Sequence, residues 1–355
     1  MADSLISLPE SFKSICKPYP VPTYSNQGHD DSSILGLYPS DLKQKIHLLN
    51  NNLALSWSGS SDAAKSLLQE LVIQNESHGD VFQVIDKFAE DLRNKDIDLQ
   101  LNLLSLDGAS LTLGNWSMKS DSFHPLENVN YGGSGGCEIV DLLERMSSDF
   151  KKIYPISVGT NSDNAFYHVL STFFTTFSSN YISGWGLKSS WGGPLEFLYA
   201  NGAALEKLDD YLIVFWEATH ESNTSVRFGF WKRIIKVKYI GDLMVLRIVE
   251  FGGSGAGSEK YHVVEPLISL SERPNSISTK DIPWISRRVF HFIRINNHPS
   301  LTATGFLSNW EEFTKYCSIQ GSGNNVGFTF NSDFPKKILK EIGYKNLNSF
   351  ELLNK

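Results

Sequence analysis

The chain has 355 residues, of which 41% are hydrophobic and 20% charged, with a formal net charge of -7. These values fit a soluble protein with a sizeable core, built as one large domain or two smaller ones. Acids and bases are mixed without long single-sign runs, which argues against a nucleic-acid face, and no apolar run approaches the roughly 20 residues of a membrane helix. Cys16, Cys137 and Cys317 are widely spaced and form neither a disulfide framework nor a metal motif, so reduced thiols in a cytoplasmic protein are expected. The front of the sequence has no basic segment followed by an apolar core, hence no signal-peptide pattern.

Residues 1–40 carry Pro9, Pro18, Pro20, Pro22 and Pro39 and little periodicity, so they are expected to form a proline-rich strap. Leu48, Leu53 and Leu55 fit a strand over 46–57. Ser60, Ser61 and Asp62 then offer N-cap oxygens to a helix whose Ala64, Leu67, Leu68, Leu71 and Val72 share one face. A second helix has Val81, Val84, Ile85, Phe88, Ala89 and Leu92 at the same spacing. Strands at 99–106 and 110–116 flank Asp107-Gly108, a dipeptide suited to a tight hairpin.

A short strand at 127–131 runs into the glycine loop 132–136. Ile139, Leu142, Leu143 and Met146 then mark a third helix, and Phe166, Val169, Leu170, Phe173, Phe174 and Phe177 a fourth with an aromatic core stripe. A second hairpin is expected at 195–199 and 204–208 around Asn201-Gly202, followed by a buried strand at 211–216. Residues 220–225 are polar and linker-like. Beyond them lie a long hairpin at 228–239 and 243–251 around Gly241-Asp242, a strand at 261–270 and a terminal helix at 335–342.

Two stretches stand out. Residues 45–71 run as strand, Ser58-Gly59, capped helix; residues 129–146 run as strand, Gly-Gly-Ser-Gly-Gly, helix. Two helices and a hairpin follow the first junction, and the order repeats after the second. This order resembles the core of the proteasome β-type subunits and their bacterial ring relatives, a branch of the N-terminal-nucleophile (Ntn) hydrolases. The resemblance covers residues 41–217. It implies an α+β fold, a four-layer αββα sandwich over residues 1–220, with a C-terminal β-rich domain of unassigned type at 226–355.

The resemblance also implies a site. In that family an N-terminal Thr, Ser or Cys freed by self-cleavage is the nucleophile and its own α-amino group the base. Lys45 matches the family lysine, and Ser134 in Gly133-Ser134-Gly135 matches the serine of the second glycine loop. Ser14 and Asp30 come near the family spacing to Lys45 when one gap is allowed; Cys16 and Ser11 are equivalent candidates for the nucleophile. At the Asp-x-x-Ser-Gly-Gly segment the family aspartate is replaced by Lys188 and the serine by Trp191, unless Ser190 substitutes after a one-residue shift. An ammonium in place of a carboxylate reverses the local charge.

The expected function is therefore that of a catalytically degenerate Ntn-fold protein acting through assembly or binding, as a homo-oligomer or with a protein partner. It would need no cofactor, metal, nucleic acid or membrane. One rival is an active amidohydrolase or peptidase with Ser14 or Cys16 exposed by processing. A second is a binding module with specificity in the Trp-rich C-terminal part, since Trp185, Trp191, Trp216 and Trp231 cluster in sequence. The remaining motifs read as structure. The glycine-rich loop 252–257 precedes a strand-like run, whereas a phosphate loop opens a helix. Asp209-Asp210 reads as a turn, His168 as a surface or satisfied core side chain, and His29-Asp30-Asp31 lacks a further metal ligand.

Overall fold

The computed structural model describes residues 2–3, 5–9, 37–76, 80–108, 110–117, 194–222, 225–251, 257–272, 274, 276–297, 303–331, 333–341 and 349–352. It is a strand-rich α+β chain that divides into two compact units. The first comprises 1–157, 184–208 and 264–273, and the second 158–183, 209–263 and 274–355. The expected helices at 139–146 and 166–177 and the strand at 127–131 lie outside the described residues.

In the first unit, β1 (Ala2–Asp3), β2 (Leu5–Pro9) and β3 (Leu37–Leu42) lead into a four-stranded antiparallel sheet. That sheet is built from β4 (Ile46–Asn50), β5 (Leu53–Gly59), β6 (Leu99–Asp107) and β7 (Ser110–Ser117), in that order. The expected single strand over 46–57 is thus two strands. Asn50 Oδ1 accepts the Asn52 N–H at 2.7 Å, and this local turn reverses the chain between them.

Residues 1–40 are likewise more than a strap. Leu5–Pro9 pairs antiparallel with Leu37–Leu42, and Ala2–Asp3 pairs with β8 (Leu195–Glu196). The apolar run before Pro9 forms a ladder that the proline content obscured, while 10–36 lies outside the described residues.

Helices α1 (Ser61–Glu76) and α2 (Val81–Asn94) connect β5 to β6. Ser60 Oγ accepts the Ala63 N–H, and Asp80 accepts those of Phe82 and Gln83, so both helix starts carry side-chain caps. Sheet alternation sorts the two faces. Leu53, Leu55, Trp57, Leu99, Leu101 and Leu103 pack with Ala64, Leu67, Leu68, Leu71, Ile85, Ala89 and Leu92 of the helices. Ala54, Leu104 and Leu106 turn the other way and pack on Leu198 and Leu205. Those last residues belong to the hairpin β9 (Leu198–Ala200) and β10 (Leu205–Lys207). Gly59, at the strand-helix junction, has φ +98°, and a Cβ there would stand 2.6 Å from the Asp98 carbonyl oxygen. That is why the junction needs glycine.

The second unit is organised on a larger sheet. Its strands are β11 (Asp210–Ser222), β12 (Ser225–Ile240), β13 (Leu243–Phe251), β14 (Gly257–Val264), β15 (Arg288–Asn296) and β16 (Ala303–Ser308). They lie in the order β14-β13-β12-β11-β15-β16, and a terminal strand, β19 (Ser349–Leu352), pairs beside β12. β11 and β12 form a hairpin whose ladder continues through His220↔Val226 to Ser222↔Ser225. Residues 220–222 and 225 therefore lie in a ladder, and the strand expected at 211–216 is part of the second unit's sheet. The chain divides at 208/209, and 264–273 returns to the first unit.

Leu212, Val214, Trp216, Val249, Phe251 and Ile293 lie in one cluster with Phe313 of α3 (Trp310–Thr314) and Phe334 of α4 (Asp333–Glu341). The small hairpin β17 (Cys317–Gln320) and β18 (Gly327–Phe330) closes over the same cluster. Tyr211, Ile213, Phe215, Phe290 and Phe292, which alternate with them along β11 and β15, are equally buried. A sheet buried on both faces explains the near-continuous apolar run of β11.

Candidate functional site

Lys45 is the member of the expected site that the structure describes. Ser14, Asp30, Ser134, Lys188 and Trp191, together with Cys16, Ser190, His29 and His168, lie outside the described residues, so their mutual geometry is not defined. Lys45 is half-buried at the entry to β4, and its carbonyl accepts the Trp57 N–H at 3.1 Å.

Sequence reading missed the groups that surround it. Glu196 Oε1 accepts the Lys45 N–H at 2.5 Å and the Ile46 N–H at 3.3 Å. Glu196 Oε2 receives the Lys207 ammonium at 3.4 Å, and Lys207 also donates to Gln44 Oε1 at 3.0 Å. Gln44 is buried; its Nε2 donates to the Val264 carbonyl at 2.9 Å, and its own carbonyl accepts the Trp57 indole N–H at 3.2 Å. Burial pushes the Glu196 carboxyl above its ordinary value, and Lys207 with the two backbone N–H groups pulls it partly back. The available signal was weak: one carboxylate inside the apolar run Leu195-Glu196-Phe197.

In the second unit the buried polar groups close on one another. Asp210, expected in a turn, is paired with Lys236, a fully buried side chain that also donates to Ser286 Oγ and, at 2.6 Å, to the Ile285 carbonyl. Burial lowers the Lys236 pKa to about 8 against the opposing pull of Asp210. Arg247 pairs with Glu259, donates to the Ile282 carbonyl at 2.9 Å and stacks 3.7 Å over the Trp284 ring. Both cations thereby hold the segment 282–286 onto the sheet.

His291 joins β15 to β11 and β16. The Trp216 indole N–H donates to its Nδ1 at 3.1 Å, and its Nε2 lies 2.9 Å from Ser308 Oγ. Because Trp offers only a donor, Nδ1 must be the acceptor, and the neutral ring carries its proton on Nε2. Burial, with a smaller push from Lys337, lowers the His291 pKa to about 3, so the ring is neutral at ordinary pH. Nε2–H therefore donates to Ser308. A general base for serine needs the reverse direction, so this pair is scaffold.

Trp216, one of the clustered tryptophans, is fully buried amid Phe228, Phe328, Phe330 and Phe334, and so is core and no binding surface. Cys317 is a buried free thiol whose pKa burial raises. Residues 252–256 of the glycine-rich loop are outside the described residues; the neighbouring strands β13 and β14 flank it, as a hairpin connection requires. Among the described residues no group of His, Cys, Asp and Glu is placed to hold a metal ion. No helix among them is long and apolar enough to cross a membrane.

Fold and site together define a strand-rich α+β protein whose first unit sets a four-stranded sheet against two helices, with Lys45 at the entry to that sheet. Among solved structures it is similar to eukaryotic HslV from Trypanosoma brucei. The identity is 13%, the match covers 38% of this chain and 73% of that chain, and the TM-score is 0.25. This is a distant resemblance only. No family model matches the chain, and no curated protein matches it.

Proposed function

We propose that the protein is a catalytically degenerate, proteasome-like Ntn-fold protein that works by binding or assembly. The observation that carries this reading is the closure of the Lys45 surroundings. Glu196 is fully buried and divides its two oxygens between the strand backbone and Lys207. A carboxylate so engaged braces the scaffold and is poorly placed to exchange protons with a substrate. The replacement of the family aspartate and serine by Lys188 and Trp191 points the same way.

The αββα assignment draws support from the first unit, where one face of the β4–β7 sheet carries two helices and the other an apolar cluster against the β9–β10 hairpin. We place such a protein in the cytoplasm, with a protein partner or further copies of itself and without a cofactor.

The active hydrolase is kept as a second reading because of one observation. Lys45, which matches the family lysine, is only half-buried at the entry to β4, and the nucleophile in this reading is Ser14 or Cys16 after processing. One experiment separates the readings: intact mass under denaturing conditions with N-terminal sequencing, followed by native mass. An unprocessed front together with an oligomeric or partner-bound native mass is expected. A front shortened to a new Ser or Cys overturns degeneracy, and a strictly monomeric, partnerless species overturns assembly.

A further inference from the structure

Glu196 sits where several pieces of the first unit meet. Its backbone pairs with Ala2 of β1, its Oε1 holds the N–H groups of Lys45 and Ile46, and its Oε2 receives Lys207 from β10. Lys207 continues the chain of contacts to Gln44, and Gln44 to Val264; the Gln44 N–H also donates to the Glu265 carbonyl at 3.0 Å. β2 follows β1 in the chain and is paired to β3, which runs directly into Gln44 and Lys45. One residue thus joins three pieces: its backbone pairs with the front of the chain, and its buried carboxylate ties the entry to β4 to the second hairpin.

A buried ion is a costly way to fill space. Desolvation commonly exceeds the pair attraction, and an apolar residue of similar size often stabilises as well or better. A carboxylate that accepts two N–H groups and an ammonium does what an apolar residue cannot. It fixes direction and register, because only one alignment of the strands satisfies all its acceptors.

We propose that Glu196 is the positioning residue of the Lys45 site, holding Lys45 in register with the front of the chain. The inference rests on reading Lys45 as the centre of that site. The charged side chain paired with Glu196 is Lys207 on β10, and the Lys43–Glu265 pair lies on the adjoining return segment. Lys207 forms an ion pair with Glu196 and sets the direction of its response.

The test is an amide-resolved pH titration by NMR, with hydrogen exchange, on the full chain and on Glu196→Gln and Lys207→Met. In the wild type the Lys45 and Ile46 amide protons are expected to shift together, with one inflection above the ordinary glutamate range. Amides of the β6–β7 hairpin should stay still. Glu196→Gln should abolish that inflection and raise exchange at residues 2–3 and 5–9 at least tenfold relative to 99–117. Lys207→Met should move the inflection higher, because the attraction that favours the ionised form is gone.

Flat Lys45 and Ile46 amides in the wild type, or the same inflection in Glu196→Gln, overturn the proposal. So does unchanged exchange at residues 2–9 in the variant. Should Glu196→Gln fail to fold, the direction of the Lys207→Met shift decides alone. Native mass is read separately: a monomer with the expected titration removes the assembly reading and leaves the positioning role standing.

Discussion

The buried ammonium of Lys236 predicts an alkaline gain in stability. Its pKa is about 8 in the fold against 10.5 for an ordinary lysine, and burial is the main cause. A base with a depressed folded pKa binds fewer protons in the fold than in the unfolded chain between those two values. Stability from this group therefore rises as pH rises through that window. Evaluated between pH 7 and 10, the gain is about 2–3 kcal/mol, because each tenfold difference in proton affinity between fold and unfolded chain is worth roughly 1.4 kcal/mol. The side chain is fully buried, so solvent screening does not reduce this figure.

Other groups change stability in the same window with the opposite sign. Burial raises the Tyr261 pKa to about 12 and raises the Cys317 pKa too. Each then keeps its proton longer in the fold than in the unfolded chain, which lowers stability as pH rises. The assay must therefore be a difference. Urea unfolding of the wild type and of the double variant Lys236→Met/Asp210→Asn, at pH 7, 8, 9 and 10, isolates the lysine. The double variant is chosen because Lys236→Met alone strands the Asp210 carboxylate, a loss of about 3–5 kcal/mol for a broken buried pair. The wild type should gain about 2–3 kcal/mol on the double variant from pH 7 to 10. A difference that stays constant with pH refutes the argument.

Three further outcomes follow from the geometry. Leu67→Ala, at a fully buried position between α1 and the β4–β7 sheet, should cost about 2–5 kcal/mol in chemical denaturation, through lost burial and the cavity left behind. Gly59→Ala forces a Cβ to 2.6 Å from the Asp98 carbonyl at a φ of +98° and should lower the melting temperature far more than Gly108→Ala, whose Cβ meets nothing within 4 Å. Ser308→Ala leaves the His291 Nε2–H without its acceptor and should cost about 1–3 kcal/mol of stability. Any hydrolase activity measured on the wild type should survive Ser308→Ala unchanged at equal folded fraction, whereas a nucleophilic role predicts its loss.

The first unit was legible where local physics acts alone. Ser60 announces a helix start because a short polar side chain caps N–H groups, and 3.6-residue spacing put Leu67, Leu68 and Leu71 on the buried face. Asp107-Gly108 placed the β6–β7 turn, with Gly108 at φ +59°. Asn51 and Asn52, by contrast, sit in a run apolar enough to read as unbroken strand. Their turn depends on an Asn50 side chain bonding its own backbone, which periodicity does not register.

Of the candidate site, Lys45 lies among the described residues, and its place at the head of β4 was legible because it follows from a local order of elements. Glu196, Lys207 and Gln44 were not legible, since Lys45 and Glu196 meet 151 positions apart in the chain and their partnership exists only once the sheets are assembled. Asp210 and Lys236 repeat the lesson. Read locally, Asp209-Asp210 is a turn and Lys236 a solvent-facing break in an apolar run. In the fold, the register Leu212↔Lys236 and Asp210↔Lys238 puts the Lys236 ammonium beside the Asp210 carboxylate, both on the inward face. A charge set in a strand that is buried on both faces has no route to water, so it must meet a partner from another element. Alternation alone does not separate the two cases: Lys236 is fully buried and meets Asp210, whereas Lys238, two residues on along the same face, is only partly buried and donates to the Asp281 carbonyl at 3.0 Å.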